Sequence, residues 1–118
     1  MMHQSGRKKL NLKHSHRVAM LRNQMIHLIN YGHLTTTKAR VKEVQKLIEK
    51  AVTIARVGNE FNTRRRINAL LPYDTDAQLK LVTEIAPRYV QRPGGYTRVI
   101  SMGKRASDTA PIARIEWV

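Results

Sequence analysis

The chain has 118 residues, with 22 Lys and Arg against 8 Asp and Glu, a formal net charge of +14 and no cysteine. That excludes disulfides, iron–sulfur clusters and thiolate zinc sites, and the length is that of one domain with one modest core. A domain this basic repels itself when free, so a polyanionic partner is expected, nucleic acid ahead of an acidic membrane surface.

Residues 1–13 have no apolar periodicity and read as an extended basic arm carrying Arg7, Lys8, Lys9 and Lys13. The arm is expected to touch RNA or DNA; the alternative is a tail that only solubilises. It has no apolar leader, and no stretch approaches the length of a membrane span. A cytosolic location is therefore expected, without membrane insertion. No acid precedes Glu43.

Ser15 can cap a first helix running to about Tyr31, with Gly32 as its stop. Val18, Leu21, Met25, Leu28 and Ile29 form its apolar stripe, flanked by Arg17 and Arg22. Residues 33–37 are short and β-branched and read as a strand. Thr37 can cap a second helix to about Val57, stopped by Gly58. Val41, Val44, Ile48, Ala51 and Ala55 face its core, and Leu47, Val52 and Ile54 widen that stripe. The opposite arc, Lys42, Glu43, Lys46, Glu49, Lys50 and Arg56, reads as a solvated mixed-charge face.

Asn59 or Asn62 can open a third helix that ends before Pro72 and contains Arg64, Arg65 and Arg66. The triplet is either a phosphate clamp or a set of wet arginines with one paired to Glu60. Asp74 caps a fourth helix, Thr75 to Ala86, with Leu79, Leu81, Val82, Ile85 and Ala86 inward and Pro87 as its end.

Residues 88–99 then combine three arginines and two tyrosines with Pro93, Gly94 and Gly95. The proline and glycines shape a turn. Around it, guanidinium groups and rings have the chemistry to pair with phosphates and stack on bases. Tyr89 follows directly on the fourth helix and is expected on the core side. Thr97–Met102 and Ile112–Val118 read as two strands. In the second, Ala113, Ile115 and Trp117 alternate with Ile112, Arg114 and Glu116. Lys104 and Arg105 sit at the hairpin tip. The expected fold class is α+β: a helix, a strand, three helices and a β-hairpin, giving a small mixed sheet packed on helices.

The chain shows no phosphate-cradling glycine loop, nucleophile elbow or His-Glu-x-x-His motif, and the eight acids are scattered. No enzyme, cofactor or small-molecule substrate is expected. His3, His14 and His16 lack the carboxylate or thiolate that would complete a metal shell. Helices three and four, joined through Leu71-Pro72-Tyr73-Asp74, have about the turn length of a helix-turn-helix DNA binder, but the fourth helix offers only Gln78 and Lys80 as base readers and its acids would repel phosphate. The distributed charge favours a domain wrapped in folded RNA.

Ser5-Gly6-Arg7-Lys8-Lys9-Leu10-Asn11, Ser15-His16-Arg17, Arg22-Asn23, Thr35-Thr36, Arg88-Tyr89, Gly94-Gly95-Tyr96-Thr97-Arg98, and Asp108 with Ala110-Pro111 run through the chain in order. In these blocks the sequence resembles the L seventeen family of bacterial large-subunit ribosomal proteins. The resemblance implies an α+β structural protein that binds large-subunit (23S) rRNA near the exit of the peptide tunnel, beside neighbouring ribosomal proteins. It implies RNA contacts at Arg7, Lys8 and Lys9, at His16, Arg17, Arg22 and Asn23, and at Thr36, Arg92, Gly95, Tyr96, Thr97 and Arg98. Lys13, Lys104 and Arg105 join them as arm and hairpin-tip cations. Met2 stands where the family usually has arginine, and Ser107 where it usually has glycine. Many members carry a charged extension beyond the position of Val118. A free-standing DNA- or RNA-binding regulator is the alternative function.

Overall fold

In a computed structural model, residues 12–118 are described; the arm residues Arg7, Lys8 and Lys9 lie outside them. Helix α1 spans His14–Tyr31, strand β1 His33–Thr37, and helix α2 Lys38–Ala55. Helix α3 spans Phe61–Leu70 and α4 Thr75–Lys80, continued by a π turn over Leu81–Ile85 and a 3-10 turn over Ala86–Tyr89. Strands β2, Thr97–Lys104, and β3, Pro111–Trp117, close the chain.

The apolar stripes decide the packing. Leu21, Met25, Leu28 and Ile29 of α1 meet Val41, Val44, Ile48, Ala51, Val52 and Ala55 of α2, all buried. Ala113 and Ile115 are fully buried against α2, as the alternation along β3 requires. Gly32 ends α1 at φ 83, its N–H donating to the Leu28 carbonyl. That is the left-handed cap expected of glycine.

Other boundaries differ from the sequence reading. Helix α1 begins one residue before Ser15, with Lys13 as its cap residue, and Thr37 sits at the cap of α2 without a side-chain bond. Helix α2 ends at Ala55, short of Val57. Glu60 rather than an asparagine precedes α3. Of the expected N-terminal caps, that of Asp74 forms, its carboxylate accepting the Ala77 N–H at 3.1 Å.

Pro87 does not stop the fourth helical segment. The Ala86 N–H reaches back to the Leu81 carbonyl, five residues away, and the proline then opens the 3-10 turn. Widening and then tightening the helix carries the chain past a residue that has no N–H to donate. Earlier in the segment Leu79, expected inward, is 55% exposed, while Ala77, Leu81, Val82 and Ile85 take the inward face.

The sheet has the order β1-β3-β2 and is antiparallel throughout, which corrects the expected mixed sheet. The hairpin makes β2 and β3 antiparallel. The direction of β1 is set by α1: Trp117 donates from Nε1 to the Leu28 carbonyl at 3.2 Å, holding the end of β3 at the end of α1. Strand β1 starts there, opposite Glu116, and must run the other way. One sheet face carries Leu34, Thr36, Ala113, Ile115, Val99 and Thr97 toward the helices. The other carries His33, Thr35, Arg114, Glu116, Arg98 and Ile100 and, among the described residues, has no layer over it.

Candidate nucleic-acid interface

Cations that a polyanion can reach lie on separate faces of the fold. At the start of α1, Lys13 and His16 are exposed, and the Arg17 guanidinium lies 3.0 Å from His14 Nδ1. Arg17 and Arg22 also rim a groove of about 400 Å³ between α1 and α2, completed by Lys46 and Lys50, over a floor that includes Leu21, Met25 and Leu47. Arg22 is partly engaged already, lying over the Tyr73 ring and 3.4 Å from both its hydroxyl and the Ala69 carbonyl. Asn23 is exposed.

The arc of α2 read as a solvated mixed-charge face has other work. Glu43 is only 9% exposed and pairs with Lys46 at 3.3 Å. Glu49 accepts the Thr97 hydroxyl at 2.7 Å, and Arg56 reaches Tyr96 and the Val90 carbonyl. The sequence reading missed Lys46 and Lys50 as groove cations, because their acidic neighbours suggested self-compensation. Only the crossing of α1 and α2 sets them opposite Arg17 and Arg22.

The turn before β2 divides its residues sharply. Gly95 has φ +64, and its carbonyl accepts from Arg92 at 3.2 Å. Arg92 and Arg98 are exposed. Tyr96 and Thr97 are not: Tyr96 is 1% and Thr97 6% exposed. Both side chains are turned into the fold, unlike those of Arg92 and Arg98. Tyr96 packs against Tyr89 with ring centroids 5.3 Å apart, and Tyr89 against Trp117 at 6.1 Å. Tyr89 takes the core position expected of it, its hydroxyl donating to the Val118 carbonyl at 2.9 Å. Burial pushes its phenol above the ordinary pKa, and Arg88 and Arg92 pull it partway back.

On the uncovered sheet face, Arg98 donates from both Nε and Nη2 to Glu116 Oε2, at 3.1 and 2.7 Å. Arg114 donates to the other oxygen at 3.1 Å. Arg98, then Arg114, holds the Glu116 carboxyl below its ordinary pKa. One carboxylate between two guanidinium groups leaves the patch positive. Arg114 was overlooked as a site residue, although the alternation along β3 already placed it on this face.

The hairpin tip is a third patch. Lys104 is exposed; Arg105 grips Asp108 through two hydrogen bonds, at 2.9 and 2.6 Å. The arginine pair and the Ala110 N–H lower the Asp108 carboxyl to about 2. Ser107 is not in the left-handed region; Gly103 and Thr109 carry the positive φ here, so serine fits where the family usually has glycine. Strand register puts Thr36 toward this end of the sheet, half-buried on the helix-covered side, and His33 with Arg98 toward the other. Six residues separate Arg98 from Lys104, roughly 20 Å of extended strand. The two patches therefore address different parts of a large partner.

Arg64, Arg65 and Arg66 are all exposed, and among the described residues none forms an ion pair with Glu60. The helix-turn-helix alternative loses its readers. Gln78 donates to Asn68 Oδ1 and the Leu71 carbonyl, and Lys80 donates to the Asn30 carbonyl. Both side chains serve packing between helices. Among the described residues no group of histidines and acids is placed to hold a metal, and no helix is long and apolar enough to cross a membrane.

The family described as Ribosomal protein L17 matches residues 20–118. The large ribosomal subunit protein bL17 of Sphingopyxis alaskensis is 47% identical over 119 aligned positions, covering 100% of this chain and 84% of that protein. The large ribosomal subunit protein bL17 of Desulforudis audaxviator is 43% identical over 113 positions, covering 96% of this chain and 99% of that protein.

Proposed function

We infer, because the chain belongs to the ribosomal protein L17 family, that it is a structural constituent of the bacterial large ribosomal subunit. In this reading it binds 23S rRNA near the peptide exit tunnel, beside neighbouring ribosomal proteins in the cytoplasm, with no catalytic step. The observation that carries the RNA-binding part is the separation of the cationic patches. The α1 start and the α1–α2 groove lie in the helical layer, Arg98 and Arg114 on the sheet face turned away from the helices, and the hairpin tip at the far end of the strands from Arg98. A single duplex groove cannot engage them together, whereas a folded RNA that wraps the domain can.

Within this reading, Arg7, Lys8, Lys9, Lys13, His16, Arg17, Arg22, Asn23, Arg92, Arg98, Lys104 and Arg105 supply polar contacts to RNA. Gly95 presents the turn, and Thr36, Tyr96 and Thr97 hold the sheet that carries the arginines. Co-sedimentation tests the assignment. The protein is expected to stay with large subunits through a high-salt wash; recovery only in the soluble fraction would overturn it in favour of a free-standing regulator.

A further inference from the structure

We propose that the solvent face of α3 is a second kind of RNA contact, a stacking site for one unpaired nucleotide. Phe61 takes the base, and Arg64 and Arg65 take the flanking phosphates. This rests on the RNA-binding reading above and goes beyond it, because none of these residues belongs to the family motifs in the sequence.

The chain has a single phenylalanine, and it is 70% exposed. An aromatic ring without a hydroxyl gains nothing from water, and no packing requirement of α3 places it there: Thr63 and Ile67 are the buried residues of this helix. Phe61, Arg64, Arg65 and Asn68 stand at i, i+3, i+4 and i+7 and form one stripe, whereas Arg66 turns away. With Gln78 of α4 they line a shallow hollow of about 500 Å³ that contains no acid. The Gln78 amide donates to Asn68 Oδ1 at 3.0 Å. That bond engages the Asn68 oxygen and leaves the NH2 of this exposed residue available as a donor.

An aromatic face beside two guanidinium forks and an amide donor matches a splayed nucleotide: a π surface for the base, forks for phosphate, and a donor for a base edge. Charge decides against an apolar or basic protein segment as the occupant. Among the described residues the two guanidinium groups of the stripe have no ion-pair partner, and a segment of that kind would leave both desolvated and unpaired.

The test measures binding of the full chain to a labelled oligouridylate and to an RNA duplex of equal phosphate number. Phe61→Leu is expected to weaken oligouridylate binding about tenfold while barely changing duplex binding. Phe61→Trp should restore the preference for single strand. The double variant R64Q/R65Q should flatten the salt dependence for oligouridylate by about 1.4 log units per decade, two phosphates' worth. R66Q should keep the single-strand preference. Because Phe61 is exposed, an unchanged melting temperature of Phe61→Leu certifies the comparison.

If the wild type binds RNA but Phe61→Leu and R64Q/R65Q bind oligouridylate equally well, the stacking site is wrong and the RNA reading stands. If the wild type binds neither probe, both fail. If Phe61→Leu binds oligouridylate normally yet drops out of assembled subunits, the face receives a protein and the proposal is overturned.

Discussion

The Tyr96 hydroxyl accepts a hydrogen bond from Arg56 Nη1 at 2.9 Å, joining the end of α2 to the residue before β2 across 40 positions of sequence. The same hydroxyl lies 3.2 Å from Thr53 Oγ1, and the Arg56 guanidinium lies 5.9 Å from the centre of the tyrosine ring. One residue later, Thr97 donates to Glu49. Helix α2 thus grips the turn from beneath, and the exposed arginines Arg92 and Arg98 flank two buried residues, Tyr96 and Thr97.

Tyr96→Phe is expected to lower stability by about 1 to 2 kcal/mol, read as a melting temperature several degrees lower. Arg56 Nε already lacks a partner, so the variant strands a second nitrogen of a partly buried guanidinium. RNA affinity of the folded variant should match that of the wild type. A selective loss of affinity without loss of stability would return Tyr96 to the RNA surface.

Gly95→Val should cost about 1 to 2 kcal/mol, the penalty for forcing a side chain into the left-handed region at φ +64. A β carbon at this position meets nothing within 4 Å, so the strain is conformational rather than steric. Gly95→Asn should therefore recover much of the loss. Chemical denaturation measures both variants, and incorporation of Gly95→Val into large subunits should fall with its stability.

The hairpin tip should be acid-sensitive. The Asp108 carboxyl falls from its ordinary 3.8 to about 2, chiefly through its hydrogen bond from Arg105. A depressed folded-state value means that the interaction is fully present above 3.8 and is lost as pH falls toward 2. A carboxyl-carbon NMR titration should place the Asp108 midpoint near 2 in the wild type and return it to the ordinary range in Arg105→Gln.

Lys104→Gln should reduce the salt dependence of rRNA binding by the share of one phosphate, roughly 0.7 to 0.9 log units per decade of salt, without changing the melting temperature. Affinity measured across a salt series checks it. An unaltered slope would remove Lys104 from the interface.

Most elements were legible in the sequence because each carries its own period. The stripe of α1, the stripe of α2 and the alternation of β3 are local patterns that packing obeys, and Gly32 and Asp74 punctuate them as their chemistry dictates. Pro87 was misread because an α period projected through 75–86 does not anticipate the π turn at Leu81–Ile85. Leu79 was misread because Ala77, a weak apolar signal, takes the inward position of α4 instead. The burial of Tyr96 was not legible for another reason. A tyrosine between a glycine turn and an arginine has the same local signature whether its ring stacks on a base or fills a core.

By itself, the sequence determined the charge balance, the alternation of helices and strands and the family motifs. Only the tertiary structure decided which members of those motifs are exposed and which are buried. Charge and period are properties of neighbouring residues, whereas burial is set by groups far away along the chain. Arg56, Thr53 and Glu49 draw Tyr96 and Thr97 inward, and Glu116 and Arg114 keep Arg98 on the open face of the sheet. The direction of β1 followed the same logic, set by the Trp117 bond to the end of α1, which no pattern within residues 33–37 could specify.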